Sequence, residues 1–268
     1  MRSVKLTYAL LTGMLLFSTS TGFVTRARIG KAAVRFVLTQ LNVESLSTDF
    51  GPSSKFFVDN FWAPQLSSDV AFTDKARMLL LLAQNGDFET RYGDTVGKRR
   101  LAAKLLAKRG DSGELSGLVT VEMTLISRLE KEPKSGGEKI LGDAISKMGP
   151  KQRRAFKGYS TGQLVTEILP DDIDLVPMLS NLAVDLSRRR GGVGLEMCLA
   201  AEETSREWGF QDIWLQVEKV NLPAKRLYEE KLGYKVEWEN EQPALRIAPD
   251  GTFTEVLVPM LTMSKSLS

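Results

Sequence analysis

The chain has 268 residues, 43% of them hydrophobic, and a formal charge of +3, with one cysteine and no histidine. A single cysteine, Cys198, excludes an intrachain disulfide framework, and the lack of histidine excludes histidine-ligated metals, Ser-His-Asp triads and a histidine base together. The positive charge is local: residues 1–43 hold Arg2, Lys5, Arg26, Arg28, Lys31 and Arg35 and no acid, so that of 36 basic residues 30 remain against 33 acidic ones, and the rest of the chain offers nucleic acid no broad electrostatic footprint.

The chain opens with Arg2 and Lys5, followed by the mostly apolar run Leu6 to Phe17. That run is too short to cross a bilayer core of ~30 Å comfortably. Small residues follow from Ser18 to Gly22, which suits cleavage before Phe23, and the next stretch is arginine-rich and acid-free up to Glu44. Residues 1–43 are therefore expected to be a cleavable leader, a signal peptide joined to a transit peptide, with one folded domain over 44–268. Gly51-Pro52-Ser53-Ser54 marks a turn. Phe56, Phe57, Val58, Phe61 and Trp62 form an aromatic cluster expected to pack on the core. Val70 to Tyr92 reads as a helix. Lys98 to Lys108 has the alanines and leucines of a helix by propensity. Leu118 to Ile126 alternates as a half-buried strand, with Val119, Val121, Met123 and Leu125 on one face. Arg128 to Asp174 reads as a long polar insertion with one short helix, Glu138 to Met148. A connection of that length inside a compact domain is usually functional or partly ordered.

The remaining elements are clearer. Met178 to Val184 reads as a strand and Leu195 to Trp208 as an amphipathic helix, with Arg189-Arg190-Gly191-Gly192-Val193-Gly194 between them. A strand at Asp212–Glu218 follows, then a helix at Leu222–Lys231 with Asn221 as N-cap and Pro223 in its first turn. Tyr234–Trp238 and Glu255–Met263 read as the last strands. The pattern predicts a mixed α/β sheet with helices on both faces. A glycine-rich turn from strand to helix is an anion site, because its N–H groups are unpaired, the helix dipole adds positive potential and glycine allows close approach. A dinucleotide-binding turn fits poorly: Met197 stands at the third-glycine position and the acidic partner is absent at the expected spacing.

Two patterns in this half resemble the GNAT superfamily of acyl-CoA N-acyltransferases. Arg189, Gly192 and Gly194 fit R/Q-x-x-G-x-G/A, and Asn221, Ala224, Tyr228, Gly233 and Tyr234 fit N-x-x-A-x-x-x-Y-x-x-x-x-G-[FY]. The run Leu179 to Val184 is most similar to plastid members from plants and algae, which are described as acetylating protein N-termini and lysine side chains. The resemblance implies a GNAT-like α/β fold: one twisted mixed sheet of six to seven strands, splayed near its centre, with helices on both faces and acetyl-CoA in the splay. It implies that 44–268 is an N-acetyltransferase domain with an insertion at about 128–174, and that Lys98–Lys108 is a strand. The joined leader resembles that of algae with secondary plastids, so the expected destination is the plastid, with secretion and mitochondrial import as alternatives.

The resemblance also implies site residues. Leu182, Ala183 and Val184 would pair with the pantetheine amides. Arg189, Arg190, Gly191, Gly192, Val193 and Gly194 would hold the diphosphate, and Asn221 and Tyr228 would complete the donor site. Tyr228, a phenol with a reference pKa of ~10, suits protonation of a thiolate whose thiol has a pKa of ~8.5. Without histidine, the candidate bases are Glu218, Glu122, Tyr159 and Tyr234. Asp171, Asp172 and Asp174 form an acidic run able to attract a cationic amine. The Leu182 N–H is the expected oxyanion donor, and Cys198 reads as packing. The expected activity is acetyl transfer from acetyl-CoA to a protein or peptide amine, α or lysine ε, with no metal, no nucleic-acid partner and no stable membrane span after leader removal. The alternatives are transfer to a small amine such as a polyamine or amino acid, and a catalytically silent CoA-binding domain.

Overall fold

The computed structural model describes residues 41–63, 73–93, 100–247 and 253–267. The expected leader up to residue 40 and the start of the expected helix at residues 70–72 lie outside the described residues. Eight strands form one sheet: β1 (Val43–Leu46), β2 (Ala103–Arg109), β3 (Leu115–Ser127), β4 (Glu132–Pro133), β5 (Ile173–Val184), β6 (Asp212–Glu218), β7 (Lys235–Ile247) and β8 (Phe253–Ser266). Their order is β1-β2-β3-β5-β6-β8-β7, with β4 appended to β3, and every pairing is antiparallel except β5 with β6. The expectation of six to seven strands missed β1 and the two-residue β4. Leu41 packs on the core and Val43 pairs with Lys108, so residues 41–43 of the expected leader belong to the folded domain.

Helices cover both faces. On one face lie α1 (Gly51–Phe57), which continues into a π-turn at Val58–Trp62, and α2 (Asp74–Tyr92), capped by the Thr73 hydroxyl accepting from the Ala76 N–H at 3.2 Å. Phe50, Phe57, Phe88 and Tyr92 from these helices bury Leu105, Leu118 and Ala183 of the sheet, so the aromatic cluster packs as expected. On the other face lie α6 (Val193–Glu207) and α7 (Leu222–Arg226), which continues into a second π-turn at Leu227–Leu232. These bury Leu106, Val119, Val121, Leu179, Ile213, Leu215 and Val217. Gly117 lets α6 sit close to β3: a Cβ there would stand 2.7 Å from Val193 Cγ1. Glu202 on α6 is fully buried and accepts from Lys265 Nζ of β8 at 2.7 Å to each carboxylate oxygen, which ties the helix to the strand.

The strand at Ala103–Arg109 settles the conflict between propensity and resemblance. Leu105 belongs to the α1/α2 core and Leu106 to the α6 core, so this segment is buried on both faces between β1 and β3, and tertiary pairing overrides helix propensity. The insertion is also ordered. It holds three helices, α3 (Gly137–Ser146), α4 (Pro150–Ala155) and α5 (Thr161–Ile168). Strands β3 and β5 run 13 and 12 residues, further than α6 can shield. Leu141 and Val165 cover the remainder, packing with Leu125, Met123, Ile173 and Leu175. The polar reading of this segment missed that α3 and α5 are amphipathic only with respect to those distant strands, whereas α4 buries no residue. Among the described residues no helix is long and apolar enough to cross a membrane.

Candidate active site

Strand β5 pairs with β3 from Ile173 to Ser180 and again at Ala183 and Val184 but meets β6 at only two positions, Met178↔Trp214 and Leu179↔Leu215. Beyond Leu179 the strands part, and Gln216, Val217 and Glu218 stay with β8. A bulge helps to turn β5 away: the register shifts between Leu118 and Thr120, and Asn181 takes a positive φ of 53°. Its side-chain amide donates to the Thr120 hydroxyl at 3.2 Å, and that hydroxyl donates to the Ser180 carbonyl at 3.1 Å. Asn181 and Leu182 have no partner in either ladder. Peptide groups from Leu182 to Val184 therefore border a wedge in the sheet, where a ligand with amides of its own adds like a strand.

The wedge ends at the glycine turn. Asp185 caps a short 3₁₀ turn at Leu186–Arg188 by accepting from the Ser187 N–H at 2.9 Å. Arg190 then takes φ 65° and Gly192 φ 94°, and α6 begins at Val193 with no side chain capping it. The uncapped first turn leaves N–H groups for a ligand. The two glycines are needed for different reasons. Gly192 sits where L side chains are strained. Gly194 has ordinary dihedrals, and an added Cβ would meet Leu227 Cδ2 at 3.4 Å and Val184 Cγ2 at 3.6 Å, which is ordinary contact. The protein itself does not demand glycine at 194.

The three arginines separate. Arg188 pairs with Glu114. Arg189 donates from Nη2 to the Asn60 carbonyl at 2.7 Å and from Nε toward the Val184 carbonyl at 3.4 Å. Arg190 is exposed and has no ion pair among the described residues, so its charge is available to an anion. Sequence reasoning missed Asn60, a polar residue inside the aromatic run Phe56 to Trp62; that interruption was the signal that could have found it.

Tyr228 lies on the π-turn after α7. Asn221 caps that helix by accepting from the Ala224 N–H at 3.3 Å, and Gly233 ends the turn at φ 79°, with the Tyr234 N–H bonded to the Tyr228 carbonyl at 2.9 Å. The Tyr228 ring is 6% exposed and edge-on to Tyr234 at 5.8 Å. Burial, with Cys198 beside it, pushes the Tyr228 hydroxyl far above the ordinary phenol range, so it keeps its proton at neutral pH. Burial also pushes the Cys198 thiol up, which agrees with a packing role.

Three of the four candidate bases are engaged or remote, and the fourth, Tyr234, is buried beside Tyr228. Glu122 accepts from the Tyr92 hydroxyl and from Arg91 Nη1 at 3.2 Å. Glu218 accepts from Arg246 Nη2 at 2.6 Å. Burial, then the nearby Glu202 carboxylate, raises Tyr234 well above the phenol range. Tyr159 lies tilted against Phe156 at 5.2 Å, out on the insertion. In the acidic run, Asp172 accepts from the Ser127 hydroxyl at 2.7 Å and Asp174 pairs with Arg128 at 2.8 Å. Val184 and Leu227 both stand beside Gly194, so the structure brings the end of β5, the glycine turn and the Tyr228 turn together, with Asn221 exposed at the cap of α7 and both Glu122 and Glu218 paired.

The chain is similar to solved structures. It shares 12% identity with Chaetomium thermophilum Naa20 in complex with a bisubstrate analogue, covering 84% of this chain and 85% of that one, with a TM-score of 0.45. It shares 15% with the ribosomal-protein-S18-alanine N-acetyltransferase from Escherichia coli (84% and 93%, TM-score 0.43), and 12% with the putative acetyltransferase yncA from Salmonella typhimurium with its cofactor acetyl-CoA (85% and 95%, TM-score 0.43). No curated protein sequence matches the chain. The segment that carries the wedge strand, the glycine turn, α6, β6 and Tyr228, residues 167–234, matches the Acetyltransferase (GNAT) family.

Proposed function

We propose that this chain is an acetyl-CoA-dependent N-acetyltransferase of GNAT type, acting in the plastid on α-amines or lysine ε-amines of proteins. One observation carries the reading: β5 and β6 part after Leu179 beside an uncapped, glycine-opened helix start. A pantetheine arm fits the first feature and a diphosphate the second. The protein acceptor and the plastid rest on the resemblance of Leu179–Val184 to plastid members and on the composition of the leader.

In this reading the neutral amine nitrogen attacks the thioester carbonyl carbon. The C–N bond forms, the C–S bond breaks, and the amine proton ends on the departing sulfur. The Leu182 N–H supports the oxyanion. Tyr228 faces the sulfur. A phenol with a raised pKa gives up its proton to a thiolate only against a gradient, so its main effect is a hydrogen bond that strengthens as charge grows on sulfur. Any proton it yields is replaced from the amine through water. Glu122 and Glu218, each held by a guanidinium, take the amine proton through such water. A lysine amine, with a reference pKa of ~10.4, needs this more than an α-amine at ~8.

The test is release of free CoA by the full chain with acetyl-CoA and a panel of peptides and small amines. Peptide-dependent release supports the reading. Release with polyamines or amino acids alone overturns the protein acceptor, and saturable binding without release overturns catalysis. A fluorescent fusion to residues 1–43 that stays outside the plastid overturns the location.

A further inference from the structure

Asn60 is 7% exposed, and burying an amide is unfavourable unless its polar groups are paired. Its side-chain Nδ2 donates to the Phe56 carbonyl at 3.0 Å, within its own helix. Its Oδ1 accepts from the Leu186 N–H at 3.0 Å, and its backbone carbonyl accepts from Arg189 at 2.7 Å. Both of those partners lie in the turn that leads into α6, more than 120 residues away in sequence. The geometry is complementary at each end. Asn60 stands in the last turn of a helix, where carbonyls lack helical partners and the dipole favours a cation. Leu186 opens a 3₁₀ turn, where the N–H lacks one. The Val58–Trp62 π-turn also packs against β5 itself, and such turns recur at functional sites.

We propose that Asn60 is a positioning residue for the acyl donor: with Arg189 it clamps the Leu186–Gly194 turn to the end of α1, so that the turn's N–H groups are aimed before the diphosphate arrives. Arg189 is then a strut and Arg190 the free cation. The inference rests on the acyl-CoA reading. A turn held in advance loses less freedom on binding, so the clamp acts on donor affinity and only where a diphosphate is engaged.

Asn60→Ser removes the side-chain half of the crosslink, to Leu186, and leaves the backbone carbonyl that Arg189 bonds. Serine is too short to reach Leu186, yet its hydroxyl can bond the carbonyl four residues back. The expected result is a rise of about 5- to 100-fold in KM for acetyl-CoA, with kcat at saturation and KM for the acceptor held within about twofold. With S-acetylpantetheine, which lacks the diphosphate, Asn60→Ser and wild type should match. Arg189→Met should mimic Asn60→Ser, and the double variant should lose less than the two single losses combined. Equal weakening toward both donors, an unchanged KM for acetyl-CoA, or additive losses would overturn the clamp. Should Asn60→Ser fail to fold, Arg189→Met, at an exposed side chain, carries the two-donor comparison: an unchanged or donor-independent KM overturns the proposal. If wild type itself binds no acetyl-CoA, the acyl-CoA reading fails; if wild type binds it and the variants bind it equally, only the clamp fails.

Discussion

The two ends of β5 are built on opposite terms. At its N-terminal end, Ile173 to Leu179 run in unbroken register with β3, and Leu175 and Ile173 are covered by the apolar sides of α3 and α5. At its C-terminal end a bulge interrupts the ladder, the neighbour β6 is lost, and the chain passes into backbone with positive φ at Arg190 and Gly192. The first end removes apolar surface from water and the second leaves polar backbone unpaired. A strand that serves both stability and binding separates them along its length, so substitutions at the two ends should separate as well.

Tyr228→Phe sharpens the contrast most. The change removes one hydroxyl that has no hydrogen-bond partner among the described residues, so folding should barely register it. Turnover should fall by about 10²- to 10³-fold, the usual range for removing one hydrogen-bond donor to charge that develops in the transition state, while the dissociation constant for acetyl-CoA stays within a few-fold. Steady-state kinetics beside calorimetric titration checks both halves. Equal turnover at neutral pH removes Tyr228 from the chemistry.

Leu141→Ala is the mirror image. Leu141 is fully buried between the insertion and β3, and deleting such a side chain costs about 2–5 kcal/mol. Denaturant melts should show that loss, while acetyl-CoA affinity in native conditions is kept. A variant that holds its stability but loses donor affinity would show that the insertion belongs to the donor site.

These two ends also differ in how far the sequence reveals them. The donor end is local: strand, glycines and helix follow one another from Met178 to Trp208, so spacing alone places them. Asn221, Tyr228 and Gly233 likewise fall within one helix and its cap. The other end depends on partners far away. Helices α3 and α5 read as polar because half of each faces water, and their apolar halves make sense only against Leu125 and Leu175. Strand β7 extends to Ile247, well past the expected Trp238, because Glu239 to Arg246 pair with β8 alone and carry no buried face to signal it. Asn60 is illegible for the same reason: its two informative bonds reach Leu186 and Arg189. What the sequence hides about the candidate bases is their partners, since no spacing shows that Arg91 and Arg246 hold Glu122 and Glu218.

Gly194→Ala tests the donor end without strain. Its Cβ meets only side-chain atoms at ordinary contact distance, so the melting temperature should move little. A methyl group in front of the helix start keeps a phosphate at a distance, and acetyl-CoA should bind about tenfold more weakly, or ~1.4 kcal/mol. Gly192→Ala, at φ 94°, should add a stability loss of about 1–2 kcal/mol to a similar binding loss. Two variants two residues apart thus divide conformational need from ligand need.

The smallest expected effect is in pH dependence. Burial, the largest influence in each case, raises Tyr92, Tyr228 and Tyr234 above the phenol range in the folded state. Unfolding returns each to ~10. Above pH ~10 the unfolded chain therefore binds fewer protons than the folded one, and stability falls as pH rises. Below pH 10 both states keep the protons and the three groups impose no slope. Each adds about 1.4 kcal/mol of loss per pH unit until its folded pKa is reached. Tyr228→Phe removes one of the three, so its unfolding free energy should fall less steeply than wild type by about that amount between pH 10 and 11, with no difference in slope from pH 6 to 9. Denaturant titrations at matched pH measure the difference directly. Parallel curves would mean that the Tyr228 hydroxyl ionises as easily in the folded chain as in water, and a phenol so exposed could not be the dry, protonated partner of the departing sulfur.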